Sequence, residues 1–397
     1  MKKKLVQINV VCNGSTGRIM NQIQQKAIED GWEAYSFYGR GKAANENCLK
    51  IGNKLDVLLH VFLTRIFDKH GHGSKRATKK LIKQLEEINP DVIQLHNIHG
   101  YYLNIKILFD YLKKCNKKIV WTLHDCWAFT GHCPHFTYPK CDKWKVGCAN
   151  CIRKKDYPSS LCVDNSKKTY ENKKELFSNI NNMTIVTPSN WLANLVKESF
   201  FKEYDVEVIN NGIDLTKFKP NIDEKIIKKY NIPHNKKIFL GVASSWNKSK
   251  GFDDFIELAR KLDDDKIIIL VGLNEKQMKQ LPNNIIGINR TENIEELVTI
   301  YSIADIFLNL TLEDTFPTVN LEALACGTPV ITYDTGGSAE CLMENNNVGR
   351  KIKVKDIANL VNAIKEQIKN QKECCEHAQK FNGDMLYNKY IEIYKGR

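Results

Sequence analysis

Two carboxylates around position 318 stand at a spacing that could bind a sugar. In "EDTFPTVNLEALACGTPVI", Asp314 lies in a loop after the strand-like run "DIFLNL", and Glu322 lies in the helix that begins near Pro317. Each carboxylate could accept hydrogen bonds from two adjacent hydroxyls, which suits a ribose and a hexose better than a metal ion. The N–H groups of Thr318 and Val319 could hold a phosphate or sugar oxygen. The simpler interpretation of Glu322 is that the helix dipole favours an acidic residue there.

Two further loops carry groups that could bind a diphosphate. Lys250 stands directly before the helix that Gly251 opens, where an ammonium and the helix dipole together could neutralise a leaving diphosphate. In "NGSTGRIMNQIQQKA", Gly14 and Gly17 would let backbone N–H groups approach an anion. Their spacing is not G-x-G-x-x-G, so nicotinamide binding is not supported. A solvated lysine and a tight turn without ligand are the alternatives.

The elements that must position these groups alternate between strands and helices. The strand-like runs are "KLVQINVV", "EAYSFYG", "DVIQLHN", "KIVWTLHD", "MTIVTPS" and "VEVINNG" in the first half and "KIFLGVA", "KIIILVG", "IIGIN", "DIFLNL" and "TPVITYD" in the second. Such alternation predicts parallel sheets flanked by helices. We therefore predict an α/β protein of two doubly wound, Rossmann-like domains whose facing sheet edges form a ligand cleft.

The length of 397 residues also fits two domains. We place an N-terminal domain at 1–211, a second domain at 212–375, and at 376–397 a C-terminal helix that packs back on the first domain. No apolar run approaches the roughly 20 residues of a membrane span, and "MKKKLVQINVVCNGS" predicts a first strand instead of a signal peptide. Thirteen cysteines, diluted in a long chain, favour a reducing cytoplasm over a disulfide framework.

The formal net charge of +13 predicts an acidic partner. Lysine and arginine are concentrated between positions 65 and 83, beside the apolar stretch "LDVLLHVFLTRIF". One interpretation is a basic amphipathic surface that rests on anionic lipid. The other is an ordinary domain helix followed by a solvated basic helix.

Taken in order, the motifs resemble those of the retaining glycosyltransferases of family 4 over nearly the whole chain. The E-x7-E motif of that family corresponds to Asp314 and Glu322, followed by "ALACGTPVI" and "GG". "PDVIQLHN", "WTLHD", "TPSNWL" and "NNGID" stand in family order and at family-like spacing. The resemblance implies the GT-B fold and front-face substitution without a covalent intermediate.

The resemblance also implies site residues. Glu322 would hold the donor ribose, Asp314 the transferred sugar, and His124 would line the transfer site, with Asp125 able to orient its imidazole. The implied donor-binding residues are Gly14, Gly17, Lys250, Phe316, Thr318 and Val319. No metal is expected for catalysis, because the "DDD" run at 263–265 fits a solvated loop better than a metal site.

Two departures from the family pattern affect these roles. The first carboxylate is Asp314, one methylene shorter than glutamate, and Glu313 beside it is a rival for its role. The family often places an arginine where this chain has Ser244; the possible substitutes are Trp246, Lys248 and Arg290.

An insertion rich in cysteine and aromatics follows "WTLHD". Cys133, Cys141, Cys148 and Cys151 stand at spacings that a structural zinc site could use, with His132, His135 and Cys126 as alternative ligands. Buried or merely reduced cysteines are the alternative. We expect the insertion to cover the acceptor side, with sugar-stacking aromatics and phosphate-binding lysines. The aromatics are Trp127, Phe129, Phe136 and Trp144, and the lysines are Lys140, Lys143 and Lys145.

The sequence thus predicts an enzyme that moves a sugar from a UDP- or GDP-sugar to a glycan or lipid-linked acceptor, as in synthesis of bacterial capsule, exopolysaccharide or O-antigen. We expect it in the cytoplasm, peripheral on the inner face of the cytoplasmic membrane, with no nucleic acid as partner. The alternatives are a nucleotide-sugar epimerase of the same fold and a basic nucleic-acid-binding protein with a zinc knot.

Overall fold

The structure, a computed structural model, describes residues 2–396 and divides them into two compact units. Unit 1 runs to Asn210 and resumes at Met385, and unit 2 is Asn211–Asp384. Each unit is built on one parallel sheet flanked by helices, so the predicted α/β class with two Rossmann-like domains is confirmed.

Unit 1 contains a seven-stranded parallel sheet in the order β3-β2-β1-β4-β5-β6-β7. Its strands are β1 (Lys4–Val11), β2 (Glu33–Arg40), β3 (Cys48–Lys50), β4 (Val92–Leu95), β5 (Lys118–Thr122), β6 (Met183–Thr187) and β7 (Asp205–Val208). Its helices are α1 (Gly14–Glu29), α2 (Lys54–Phe67), α3 (Lys75–Ile88), α4 (Ile105–Leu112), α5 (Ser166–Phe177) and α6 (Asn190–Glu198). Short 3-10 turns at Trp127–Phe129 and Lys143–Lys145 lie in the insertion.

Unit 2 contains a six-stranded parallel sheet in the order β10-β9-β8-β11-β12-β13. Its strands are β8 (Lys237–Val242), β9 (Lys266–Val271), β10 (Ile285–Ile288), β11 (Ile306–Asn309), β12 (Val330–Tyr333) and β13 (Gly349–Ile352). Its helices are α7 (Glu224–Lys229), α8 (Phe252–Ala259), α9 (Glu275–Met278), α10 (Ile294–Ile303), α11 (Thr318–Ala325), α12 (Ile357–Glu366) and α13 (Gln371–Ala378). The last helix, α14 (Gly383–Lys395), begins at the end of this unit and belongs to unit 1 from Met385 onward.

The central strands are apolar on both faces because helices cover both sides of each sheet. β4 illustrates this, since all four of its residues are buried, and its polar member Gln94 donates to Thr122 Oγ1 (3.1 Å) on β5. The same network includes α14, where Tyr394 hydrogen-bonds to Gln94 and Tyr390 OH lies 3.3 Å from Thr122 Oγ1. Gln94 and Thr122 are therefore paired, as burial requires.

One pair of cysteines is joined in unit 1. Cys12, at the end of β1, forms a disulfide with Cys48 on β3. Parallel strands β1 and β3 flank β2, so the sheet brings together two cysteines that lie 36 residues apart in sequence. A single pair is not the disulfide framework that the sequence argued against, and the other eleven cysteines remain thiols.

Candidate active site

The edge of unit 2 at the carboxyl ends of its strands brings Lys250 and Asp314 together. Lys250 ends a 3-10 turn after β8, and Asp314 lies in the loop after the neighbouring strand β11. Lys250 Nζ lies 2.8 Å from Asp314 Oδ2, and both side chains are partly exposed. In such a pair, the ammonium of Lys250 can bind a phosphate and the carboxylate of Asp314 can accept from a hydroxyl.

Glycine fixes the two loops that carry this ion pair. Gly251 has a φ of +75°, and a Cβ on it would lie 2.1 Å from Leu310 O. The turn that contains Lys250 can therefore pack against the loop after β11 only because position 251 is glycine. On the other side of Asp314, Gly337 N donates to Asp314 O (3.1 Å). A Cβ on Gly336 would lie 1.9 Å from that same oxygen, which explains the "GG" that follows β12.

Glu322 lies in α11, directly beyond this loop. Its side chain is 3% exposed, and its Oε2 accepts from Tyr301 OH (2.9 Å) on α10. Pro317 occupies the N-cap and has no polar side chain to satisfy the first N–H groups of the helix. Thr318 and Val319, both partly exposed, therefore begin the helix with N–H groups suited to an anion.

Other residues predicted near the donor have different surroundings. The Phe316 ring is 2% exposed and packs against Phe381, so it supports the loop and offers no open surface to a ligand. Trp246 is buried and donates from Nε1 to Val271 O (2.9 Å), which excludes it as a substitute for the family arginine. Lys248 and Arg290 are exposed. The acidic run 263–265 is exposed too and pairs with Lys266, as a solvated loop would.

In unit 1, the loop between β1 and α1 contains Gly14 and Gly17. A Cβ on Gly17 would lie 2.5 Å from the carbonyl carbon of Cys12, so this close approach requires glycine. Gly14 has a φ of +81° and meets no atom of the described residues within 4 Å of an added Cβ. The N-cap residue Asn13 donates its side-chain amide to Lys42 O (2.8 Å) instead of capping α1. The N–H groups of the first turn of α1 thus have no side-chain cap from Asn13, which suits the expected contact with an anion.

His124 is held by His96 from the neighbouring strand end. The two residues follow the paired strands β5 and β4, and His96 Nδ1 lies 3.0 Å from His124 Nε2. Gln7 donates from Nε2 to Met20 O, which leaves Gln7 Oε1 as the acceptor for His96 Nε2 at 3.2 Å. His96 Nδ1 is then an acceptor, and His124 must donate from Nε2. Burial lowers the pKa of His124 to about 4, so the imidazole is neutral at pH 7 and its acceptor atom is Nδ1.

A second histidine after β4 makes a three-residue chain at the same edge. His99 Nε2 lies 2.8 Å from Asp125 Oδ2, and its Nδ1 lies 2.9 Å from Tyr157 OH. Burial would raise the pKa of Asp125, but attraction and hydrogen bonding to His99 outweigh it and hold that pKa at about 2. The Asp125 carboxylate bonds to His99 through Oδ2 and accepts from Trp127 N through Oδ1 (2.8 Å), and its orienting role toward His124 stays a prediction.

Sequence reasoning missed four residues of these two edges, namely His96, His99, Tyr157 and Tyr301. A signal was available for the histidines, since "LHNIHG" and "LHD" follow neighbouring strands of one sheet and must meet at its edge. Nothing in the sequence places Tyr157 or Tyr301, which approach from an insertion and from a helix.

The aromatic residues of the insertion are core residues and not a sugar platform. Trp127, Phe129, Phe136 and Trp144 are 1, 0, 6 and 2% exposed. Phe129, Phe136 and Trp144 pack on one another, with Phe136 stacked on Trp144 at 5.0 Å, whereas Trp127 packs against His99 and Phe177. Their predicted role in stacking on an acceptor is wrong, because all four side chains are part of the hydrophobic core of unit 1. Lys140, Lys143 and Lys145 are exposed, and Lys145 pairs with Glu198.

Several cysteines of the insertion belong to the core of unit 1 or pack against it, namely Cys126, Cys133, Cys141 and Cys148. Cys133 and Cys151 share a side-chain hydrogen bond, and Cys148 Sγ accepts from Gly131 N (3.2 Å). Lys173 is fully buried beside them and donates to Trp127 O (2.7 Å) and Thr130 O (3.0 Å). Among residues 2–396, no three or more His, Cys, Asp or Glu side chains are arranged to hold a metal ion. The structural zinc at Cys133, Cys141, Cys148 and Cys151 stays a prediction.

Two family models match the chain one after the other. The model described as Glycosyltransferase Family 4 matches residues 25–217, and the model described as Glycosyl transferases group 1 matches residues 222–382. These matches agree with the order of motifs in the sequence.

Individual proteins are similar over different extents. One relative is WcaC of Escherichia coli (strain K12), which is named as a colanic acid biosynthesis glycosyl transferase. It is 23% identical over 98% of this chain and 99% of its own. The UDP-Gal:alpha-D-GlcNAc-diphosphoundecaprenol alpha-1,3-galactosyltransferase of Escherichia coli is 26% identical over 43% of this chain and 46% of its own. Sucrose-phosphate synthase from Thermosynechococcus elongatus shares the fold, with a TM-score of 0.74 and 16% identity over 100% of this chain and 99% of its own.

Proposed function

Because the chain belongs to the glycosyltransferases of family 4 and group 1, whose two models match in turn most of its length, we propose that it transfers a sugar with retention of configuration from a nucleotide diphosphate sugar to a lipid-linked glycan. The observation that carries this proposal is the edge of unit 2. There, Lys250 Nζ lies 2.8 Å from Asp314 Oδ2, and the buried Glu322 follows in the next helix.

The donor chemistry follows from the charges at this edge. A diphosphate needs a cation, which Lys250 supplies, and N–H groups, which the start of α11 supplies. Ribose and hexose hydroxyls need acceptors, and carboxylates are the acceptor-only side chains. We assign the ribose to Glu322 and the transferred sugar to Asp314. A UDP-sugar is the first donor to test, because the similar galactosyltransferase of Escherichia coli uses UDP-Gal by its name.

The proposed reaction is a front-face substitution at the anomeric carbon. The bond from that carbon to the leaving phosphate oxygen breaks, and the bond to the acceptor oxygen forms on the same face of the sugar. The acceptor proton passes to the departing phosphate oxygen, so the products are a nucleoside diphosphate and the glycoside. Lys250 stabilises the charge that develops on the diphosphate, and no enzyme nucleophile or catalytic metal takes part in the proposed step.

Unit 1 has an edge of its own that we assign to the acceptor. The neutral His124 donates to His96 from Nε2, and this bond fixes the orientation of its imidazole at that edge. The acceptor glycan would lie along the edge formed by His99 and Tyr157, whose hydroxyl is fixed by the bond to His99. Fixed groups of this kind hold a reacting hydroxyl in one orientation, which is the main source of rate in a reaction without covalent catalysis.

We place this activity in synthesis of a bacterial surface polysaccharide, in the cytoplasm at the inner face of the membrane. Support comes from two names: WcaC is assigned to colanic acid biosynthesis, and the galactosyltransferase acts on a diphosphoundecaprenol-linked sugar. Within residues 2–396, no helix combines the length and the apolar character that crossing a bilayer requires.

The test begins with thermal unfolding in a panel of UDP-, GDP- and ADP-sugars, since a ligand that binds only the folded state raises its melting temperature. The stabilising donor is then incubated with undecaprenyl-diphosphate sugars in the presence of a chelator, and the anomeric configuration of the product is read by NMR. We expect an α-linked product from an α-linked donor and no product from Glu322→Gln. A product of inverted configuration, or epimerised donor without acceptor, would overturn the proposal.

A further inference from the structure

Helix α2 exposes an apolar face to the outside of unit 1. Leu55, Leu58, Leu59 and Phe62 are 75, 63, 59 and 55% exposed. Their spacing of three and four residues places them on one side of the helix, and we call this side the α2 apolar face. Apolar patches of this kind on a folded domain mark a site of interaction.

The most deeply buried side chains of α2 are polar, unlike those of an ordinary surface helix. They are His60 and Thr64, and Val57, Val61, Leu63 and Ile66 are partly buried, while the side chains of the α2 apolar face point outward. His60 Nε2 accepts from Gly71 N (3.1 Å), and its Nδ1 lies 3.0 Å from Ser74 Oγ. A Cβ on Gly73 would lie 2.4 Å from the His60 ring, so the inward side is fitted closely. These contacts fix the rotation of α2, so the leucines are held facing outward.

The helix is held rigid at both ends. Asn53 and Asp56 form a capping box at its start, and Asp68 closes its end in a left-handed conformation with its N–H donating to Thr64 O (2.9 Å). Capped ends of this kind keep the α2 apolar face formed in water, before any partner arrives.

The apolar surface continues into the insertion. Leu161 is 60% exposed, and its N–H donates to Arg65 O (2.8 Å) near the end of α2. Phe67, 43% exposed, accepts at its carbonyl from Asn165 Nδ2 (2.7 Å). The insertion and the helix therefore present one surface.

The charge around this surface identifies its partner. From the start of α2 to the end of α3, residues 54–88, the chain has eight lysines and arginines and four acidic residues, and one of the acidic residues, Asp68, is buried against His132. Five of the basic residues are exposed on α3: Lys75, Arg76, Lys79, Lys80 and Lys83. Apolar side chains beside many cations match the interface of an anionic bilayer, where acyl chains lie beneath negative headgroups. A second copy of the chain would bring like charges together.

We propose that α2 docks the protein on an anionic membrane surface, with Leu55, Leu58, Leu59 and Phe62 in the headgroup and acyl boundary. The helix has 14 residues and is about 21 Å long, which is shorter than the roughly 30 Å thickness of a bilayer core. It would therefore lie in the plane of the membrane surface and would not cross the bilayer. Membrane docking itself does not depend on the proposed function; only the delivery of a lipid-linked acceptor rests on it. Through Ser74 Oγ, which donates to Tyr101 O (3.4 Å), the His60 network reaches the edge where an acceptor would bind, so docking would deliver a lipid-linked acceptor there.

The experiment measures sedimentation of the full chain with vesicles of phosphatidylcholine alone and with phosphatidylglycerol added. We expect binding to the anionic vesicles that weakens as salt is raised. The double variant Leu58→Ser/Phe62→Ser should partition at least tenfold less, since each removed side chain forfeits about a factor of ten of apolar transfer. Ile368→Ser, which removes a 79% exposed side chain of unit 2, should bind like the wild type.

Two further measurements separate docking from catalysis. Both variants should keep the donor-induced rise in melting temperature and transfer to a soluble short-chain acceptor, whereas Leu58→Ser/Phe62→Ser should lose transfer to an acceptor embedded in vesicles. Equal sedimentation of this variant and the wild type, or a wild-type dimer that the variant converts to a monomer, would overturn docking on lipid. A loss of donor response in the wild type would instead contradict the proposed function and leave vesicle binding as a separate result.

Discussion

Replacing Lys250 by Met should separate activity from stability. The Lys250 and Asp314 side chains are 37 and 22% exposed, and an ion pair so open to water contributes only about 0.2–1 kcal/mol to the free energy of unfolding. In the proposed transition state, the same ammonium faces charge developing on a diphosphate. Removing one such stabilising group costs about 2.7–4 kcal/mol, so kcat should fall by roughly 10²–10³.

The assay pairs thermal or denaturant unfolding with initial rates of sugar transfer. Lys266→Met is the matched control, because it breaks a second ion pair of 2.8 Å, with Asp263, at the opposite end of a strand in the same sheet. The control should lose as little stability as Lys250→Met and retain its activity. A Lys250→Met enzyme within a few fold of wild-type kcat, or one that unfolds like a core variant, would refute this reasoning.

Three other predictions test the surroundings of the site. Tyr301→Phe removes the hydroxyl that donates to Glu322 and should raise KM for the donor about tenfold, the weight of a hydrogen bond to a charged group; an unchanged KM would contradict it. Burial lowers the pKa of His60 to about 4, so this residue should contribute a fall of about 3 kcal/mol at most to the free energy of unfolding as pH drops from 6.5 toward 4; other buried histidines such as His124 add to this fall, and His60→Gln should make it shallower by the His60 share. If zinc binds the insertion, metal analysis of the purified chain should find one equivalent that Cys148→Ser/Cys151→Ser loses; equal metal content in both would exclude that site.

The sequence predicted the central strands because they are buried on both faces and read as continuous apolar runs. Two edge strands escaped. β3 has three residues and β13 reads "GRKI", and neither carries an apolar run because an edge strand has one neighbour and more exposure. Helix α7 also escaped, because its six residues are too few to show a periodic pattern.

Site prediction succeeded or failed according to how far backbone position constrains the side chain. Lys250 and Asp314 follow neighbouring strands of one sheet, and strand order alone brings such residues to one edge. The insertion offers no comparable frame, so its aromatics were assigned to a ligand although they form a core. For α2, the period of three and four residues identified an apolar face, but no pattern in one chain says whether that face points inward or outward.

The structure also bears on the choice between Asp314 and its rival Glu313. Asp314 is oriented by both oxygens, since Oδ1 accepts from Thr315 N (2.9 Å) and Oδ2 meets Lys250 Nζ. The shorter side chain thus reaches the cation at the edge without an additional methylene. Glu313 is 5% exposed, and its carbonyl accepts from Thr311 Oγ1 (3.1 Å), so its backbone is tied into the loop. To take the role of Asp314, Glu313 would have to leave a buried position and break that contact, which favours Asp314 as the first carboxylate of the motif.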